Sequence, residues 1–334
     1  MDCPWLPRLL HPVLLGICCT LLPLSAQAQT QTLGDALQWL IRASQSAQKL
    51  SYTGTFVYQS GNIAETSRIT HLVDAAGEAE RIEVLDGSPR EVVRIDDEVT
   101  CYLPENRTLI VERRHNRRSF PGLLPVSFGG GIGDNYVVRK GGIGRIAGME
   151  SQSIMIEPRD DLRYSHHWWI DTQSGLLVKA SLIGDRGEPL ETFAFTELRI
   201  GGPIDREAIK SSARMKIRDW RVQPPQATTG KADDGSWQFR NMLPGFRKVS
   251  SMRRQARADS PAGSHWVFSD GLAAISVFID PLSGLKGKPE PGRFVMGTVN
   301  IYRRIVGDAL VVVMGDVPHA ALQRLGDGIE AKKK

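Results

Sequence analysis

The sequence predicts an α+β fold: a large half-closed antiparallel β-barrel carrying helix, followed by a smaller α+β domain. Three observations point there. An amphipathic helical pattern comes early, about eleven strand-like runs follow it with almost no helix between them, and a proline- and glycine-rich break at 223–235 separates them from a second, shorter set. So many antiparallel strands curl rather than stay flat, and a curled sheet leaves a concave apolar interior.

Residues 1–28 read as an export signal. Arg8 precedes the apolar run Val13 to Leu24, and Ala26-Gln27-Ala28 has the small-x-small pattern of a cleavage site, so the mature chain is expected to begin near Gln29. The run is shorter than the ~20 residues a membrane span needs. A soluble product outside the cytoplasm follows. Cys18 and Cys19 lie inside the run without the small residues that precede a lipidation site. Of the four cysteines, Cys3, Cys18 and Cys19 leave with the signal, so Cys101 has no partner for a disulfide and is expected to be a buried small apolar residue of a strand rather than a nucleophile. Burial alone must hold the remaining chain, and its length suffices for one large or two smaller cores.

The formal charge of +5 survives signal removal, because Asp2 and Arg8 leave together. Outside the cytoplasm this argues against nucleic acid and for anionic lipid, envelope polysaccharide or an acidic protein segment. The densest basic run is Glu112-Arg113-Arg114-His115-Asn116-Arg117-Arg118. It is either a solvated hairpin end or a set of forks for phosphate and carboxylate.

Leu33, Leu37, Leu40 and Ile41 fall at helical spacing, with Thr32 and Asp35 placed as a capping pair, which predicts a helix of about four turns. From Tyr52 the period becomes two, with Tyr52, Phe56 and Tyr58 on one face. Strands are expected at Arg68 to Val73, Glu80 to Leu85, Arg90 to Ile95, Val99 to Leu103 and Thr108 to Glu112. They resume at Tyr136 to Arg139, Gly144 to Met149, Ser153 to Glu157, Tyr164 to Ile170, Leu176 to Ile183 and Glu191 to Ile200. Turn residues such as Asp86-Gly87-Ser88 separate them. Pro121 to Gly133, with its run Gly129-Gly130-Gly131-Ile132-Gly133, is expected to be a loop at the barrel mouth. The domains are therefore 29–222 and 236–331, with 223–235 as linker. In the second, strands are expected at Trp237 to Phe239, Phe246 to Ser251, Ser264 to Phe268, Ala273 to Ile279, Arg293 to Arg303 and Ala309 to Met314. A last helix opens at Asp316 and Pro318 and turns Leu322, Leu325 and Ile329 inward, weakened by Gly326 and Gly328.

No catalytic set emerges. Pro125-Val126-Ser127-Phe128-Gly129 lacks the first glycine of a nucleophile elbow. His71, His115, His265 and His319 are scattered, and His166-His167 on one strand point to opposite faces, so no metal site and no cofactor are expected. Asp160-Asp161 reads as a turn, and Trp168-Trp169 as one inward and one outward aromatic. The profile is that of a binder.

Several stretches, in this order, resemble the RseB/MucB family of periplasmic sigma-E regulators. They are Gly54-Thr55-Phe56-Val57-Tyr58, Arg90-Glu91-Val92-Val93, Trp169-Ile170-Asp171-Thr172 with Gly175-Leu176-Leu177, Asp185-Arg186-Gly187-Glu188, Leu243-Pro244-Gly245-Phe246 and Ser269-Asp270-Gly271. The resemblance implies a first domain like the LolA/LolB lipoprotein carriers and a periplasmic location. It also implies a partner, the periplasmic segment of an RseA/MucA-like anti-sigma factor, shielded from site-one proteolysis until lipopolysaccharide or a related acylated lipid releases it. Arg113, Arg114, Arg117 and Arg118 are the candidates for phosphate or acidic partner contacts, and Tyr52, Phe56 and Tyr58 for lining the hollow. A second copy of the chain is kept as a candidate partner. The rival readings are a LolA-like lipid carrier, an envelope hydrolase using a residue such as Ser127 or His166, and a passive structural protein.

Overall fold

A computed structural model describes residues 25–113, 131–223, 235–254, 261–285, 287 and 289–332. The chain opens with helix α1 (Ser25–Lys49) and then forms the meander β1 (Tyr52–Ser60), β2 (Ile63–Asp74), β3 (Gly77–Val84), β4 (Glu91–Ile95), β5 (Glu98–Leu103) and β6 (Thr108–Arg113). The helical turn α2 (Ile132–Asn135) leads into β7 (Tyr136–Ile146), β8 (Met149–Pro158), β9 (Ser165–Asp171), β10 (Leu177–Ile183) and β11 (Pro189–Ile200). Two 3-10 segments, Arg206–Ile209 and Ser212–Asp219, precede β12 (Arg221–Gln223).

These strands make one twelve-stranded sheet in the order β12-β6-β5-β4-β3-β2-β1-β11-β10-β9-β8-β7, open at both edges. The expected half-open architecture is what the chain adopts. Every pairing is antiparallel except β12 on β6. The sheet bends at a bulge where β11 carries Thr196 as an extra residue opposite Thr55 and Phe56 of β1. On the concave face Phe56, Ile69, Ile154, Ile156, Trp168, Ile170 and Phe193 pack into one core with Ala36, Leu40, Ala43 and Ala47 of α1. Helix α1 lies over one end of the groove, tied by Ser46 Oγ donating to the Ser174 carbonyl (2.7 Å) and Arg42 to that of Gln173 (2.5 Å).

Three local expectations change. Thr32 lies inside α1 and does not cap it, Asp35 pairs with Lys140 (2.9 Å), and Ile41 faces outward while small Ala43 faces in. The run Gly144 to Met149, expected as one strand, holds the end of β7, the turn Ala147-Gly148 and the first residue of β8, since Ile146 pairs with Met149. The expected loop ends in a helical turn at Ile132–Asn135, and Gln223, expected to open the linker, ends β12. Residues 1–24, 114–130 and 224–234 lie outside the described residues, including the export signal up to Leu24, Arg114, Arg117, Arg118, Ser127 and most of the linker; the expected cleavage motif Ala26-Gln27-Ala28 falls within α1, which at 25 residues is longer than the four turns expected.

The second core belongs to β13 (Trp237–Phe239), β14 (Arg247–Arg254), β15 (Gly263–Ser269), β16 (Ala274–Pro281), β17 (Gly292–Met296), β18 (Val299–Val306), β19 (Ala309–Gly315), α3 (His319–Asp327) and β20 (Ile329–Ala331). Six strands run β14-β15-β16-β19-β18-β17, and β13 pairs separately with β20. The single run expected at Arg293 to Arg303 is a hairpin turning at Gly297, and Ile329 starts β20 rather than ending the helix. Gly326 does not weaken α3 for nothing: a Cβ there would stand 2.7 Å from the Tyr302 ring, so glycine lets the helix close on β18.

The two cores are joined by a buried charge. The Arg163 and Asp270 side chains are both fully buried, with Nε donating to Oδ2 at 2.6 Å. Arg163 also donates to Asp160 and to the Pro244 carbonyl, and its guanidinium lies over the rings of Tyr136 (5.6 Å) and Phe246 (5.0 Å). Asp270 accepts from Tyr136 Oη (2.8 Å) and from the backbone N–H groups of Leu272 (3.0 Å) and Ala273 (2.8 Å). Burial would discourage the Arg163 charge, but its hydrogen bonds to Asp160 and Asp270 and the Asp270 charge outweigh that and raise its pKa. Around this latch the cores exchange side chains: Leu162 packs into the second core and Leu272 into the first. Gly245 completes the joint, because with φ +75 and the Asn135 amide against it no side chain fits.

Removing one partner of such a pair strands the other in a dry interior. Arg163→Ala is expected to cost about 3–5 kcal/mol in urea unfolding, with the second domain's transition separating from the first. A loss below about 1 kcal/mol would show that Asp270 finds water when its partner is gone.

Candidate functional site

At the end of the groove opposite α1, the sheet and the second domain enclose a hollow of about 480 Å³. Strand period places its walls: Phe56 and Tyr58 on β1, Ser67 on β2, Ile82 and Val84 on β3, Val92 on β4, Ala180 and Leu182 on β10, Phe193 on β11. Leu272, Ala273, Ala274 and Asp316 come from the second domain. The hollow exists only while the two domains are held together.

Its polar groups are unevenly paired. Glu65 and Arg90 form an ion pair at 2.8 Å. Glu191 on β11 accepts from the Thr298 hydroxyl of the β17–β18 turn, which lies 3.5 Å from Asp316, and shares a hydrogen bond with the Tyr58 phenol. No cation among the described residues contacts Glu191 or Asp316. Burial and then the neighbouring Glu191 charge raise the Asp316 carboxyl from 3.8 to about 6, against a lowering by the Thr298 bond. Burial and then Glu191 likewise push the Tyr58 phenol up. His166, 6% exposed, faces the hollow, and burial lowers it to about 4 despite the Asp270 charge. It is a neutral imidazole at physiological pH.

Phe56 and Tyr58 thus line the hollow, whereas Tyr52 stands at the other end of β1. It is 1% exposed and stacked on His71 at 4.8 Å. His71 bridges the Leu50 carbonyl (2.8 Å) and Glu78 (3.0 Å), and Arg94 donates to Glu78 at 2.6 Å. This makes Tyr52 part of a polar network under α1, away from the hollow. Register also moves the arginine run: Leu103 pairs with Thr108 at the hollow end, and Glu98 with Arg113 at the far end. Phe56 and Tyr58 therefore lie toward the opposite end of the sheet from the backbone of Arg113, whose end Tyr52 shares.

His166 and His167 do face opposite ways, the latter meeting Ser153 Oγ at 2.7 Å. Trp168 is fully buried, and Trp169 lies half-buried on the outer face. Cys101 is half-buried, and burial raises its thiol. No group of three His, Cys, Asp or Glu among the described residues is arranged to hold a metal, and no described helix is long and apolar enough to cross a membrane.

Sequence reasoning did not find Glu191, Asp316, Arg163 or a role for Asp270. Asp316, expected to open the last helix, instead points its carboxyl into the hollow. Asp270 stands only within the Ser269-Asp270-Gly271 stretch of the family resemblance, which assigns it no role.

The comparisons with known proteins agree over both domains. The family models for the MucB/RseB N-terminal domain and the MucB/RseB C-terminal domain match residues 35–213 and 231–330. The chain is 30% identical over 297 residues to the sigma factor AlgU regulatory protein MucB of Pseudomonas aeruginosa, covering 87% of this chain and 89% of that one. It is 27% identical over 307 residues to the sigma-E factor regulatory protein RseB of Escherichia coli K12, covering 90% and 91%. Among solved structures it is similar to MucB in the Pseudomonas aeruginosa MucA/MucB complex (TM-score 0.70, 28% identity, 90% of this chain and 100% of that one). It is also similar to MucB in complex with MucA(peri) (TM-score 0.69, 27% identity, 90% and 100%).

A carboxylate whose folded pKa is raised contributes stability that is complete below its unfolded pKa of 3.8 and lost as pH rises through about 6. Asp316→Asn removes that loss. The variant is expected to gain about 1–2 kcal/mol over the parent at pH 7.5 and little at pH 4, read by urea unfolding at both. Equal effects at the two pH values would mean that Asp316 is solvated in the folded protein.

Proposed function

Because this chain belongs to the MucB/RseB family, we propose that it binds the periplasmic segment of a MucA/RseA-like anti-sigma factor and so regulates a sigma-E-type envelope-stress response. The observation that carries this reading is a similarity running through both domains to a relative solved with MucA bound. The whole two-domain frame, and not the sheet alone, is what the relatives share. The export signal read in residues 1–28 supports a periplasmic location. Bound there, it shields the segment from the site-one protease.

Lipopolysaccharide or a related envelope lipid is the releasing signal. An excess of positive charge supports an anionic ligand, and the apolar hollow supports an acylated one. Release needs little energy: a tenfold loss of partner affinity is about 1.4 kcal/mol, and the coupling is reciprocal. The hollow also favours a second reading, a carrier of acyl chains, which would need the hollow but not the anti-sigma segment. A purely regulatory binding role leaves the chain without a chemical step to perform.

Titration calorimetry of the mature protein with the purified periplasmic segment is expected to give a dissociation constant of about 1 μM or below. Lipopolysaccharide should weaken it about tenfold and restore cleavage by the site-one protease. Lipid uptake with no binding to the segment would move the assignment to the carrier.

A further inference from the structure

We propose that the interdomain hollow is a site for a cationic amphiphile, an alkyl body carrying a protonated amine, whose ammonium sits between Glu191 of the sheet and Asp316 of the second domain. The volume of about 480 Å³ falls in the range of small-ligand sites, and its walls are apolar: Phe56, Ile82, Val84, Val92, Leu182 and Phe193. What selects the head group is the polar end. The Glu65 charge is met by Arg90, but Glu191 and Asp316 face each other across the domain boundary with no cation on either among the described residues.

Their local donors are too few. Thr298 has one hydroxyl proton, given to Glu191, and Tyr58 supplies a second bond to the same carboxylate. Asp316 is left with a 3.5 Å contact and a neighbour of like charge. An ammonium brings three N–H donors and the missing positive charge. A phosphate, sulfate or carboxylate head would add a third negative charge to the same enclosure.

A second observation is independent of the carboxylates. His166 is 6% exposed, lines the hollow, and makes no hydrogen bond to any described residue. A polar side chain this deeply buried is ordinarily satisfied, so its ring nitrogens are available to a ligand's polar group. The remaining groups around Asp316 do not reverse the argument. Tyr58 and Tyr164 are phenols held neutral by burial, and Thr298 carries no charge. The inference goes beyond the partner reading and stands or falls separately from it.

The test uses the mature protein and three probes with one alkyl chain: dodecylammonium, dodecyl maltoside and dodecyl sulfate, each titrated calorimetrically below its micelle concentration at pH 7.5. The net charge of +5 favours the sulfate at any unspecific surface. The expected order is nevertheless ammonium first, at least about tenfold tighter than sulfate. Glu191→Gln and Asp316→Asn, singly and together, should remove that preference while leaving the maltoside unchanged. Leu182→Trp, which fills the hollow from a half-buried wall position, should weaken both ammonium and maltoside. Lowering the pH from 7.5 to 5 should weaken the ammonium alone, as Asp316 takes up its proton. Sulfate binding as tightly as ammonium, or ammonium affinity unchanged in the double variant, overturns the proposal.

Discussion

The arrangement of this protein rests on one buried ion pair, Arg163 with Asp270. Neither side chain is exposed, and besides its bonds within its own domain each reaches into the other: Arg163 donates to the Pro244 carbonyl, and Asp270 accepts from the Tyr136 phenol. Two desolvated charges are tolerable together and costly apart, so the pair acts less as glue than as a constraint on which interdomain geometry is allowed. The exchange of Leu162 and Leu272 between the cores enforces the same geometry by packing. A rotation of one domain would unpair a charge and open two apolar cavities at once.

That constraint decides what the open sheet can enclose. A twelve-stranded sheet that does not close leaves two ends to its groove, and each end is covered by a different part of the chain. Helix α1 covers one with the small side chains Ala36, Ala43 and Ala47, which let it lie close to the strands. The second domain covers the other with Leu272 to Ala274 and Asp316. The first cover is continuous core. The second leaves a hollow, because flat backbone and a carboxylate fill less space than a helix face. Occupancy of the hollow and the relative position of the domains are thereby linked, which is the physical requirement for a ligand to alter how a partner is held across both domains.

Charge is distributed against the average. The chain as a whole is basic, yet the enclosed end of the groove collects Glu191 and Asp316 without counter-ions among the described residues, while Arg90 is neutralised by Glu65. Long-range attraction of anions and short-range preference inside the hollow therefore have opposite sign. The basic surface steers; the hollow selects. An anionic lipid and a cationic amphiphile are thereby drawn by different charges, even though the apolar walls of the hollow suit the alkyl part of either.

The sequence alone determined what depends on near neighbours along the chain. Period two fixed the strands from Tyr52 onward, turn residues fixed most of their limits, and the break in periodicity placed the second set beyond 223. Local pattern also separated His166 from His167 and Trp168 from Trp169, because adjacent strand residues cannot share a face. It failed where the deciding contact is remote. Ile41 fits a helical stripe as well as Ala43 does, and only the closeness of α1 to the sheet selects the smaller side chain. Tyr52, Phe56 and Tyr58 share a face, but which of them reaches a hollow depends on what covers each end of the strand. Arg163, Asp270, Glu191 and Asp316 read as ordinary turn and strand charges. Their meaning comes from partners about twenty to more than a hundred residues away, brought together only by the docking of two separate cores.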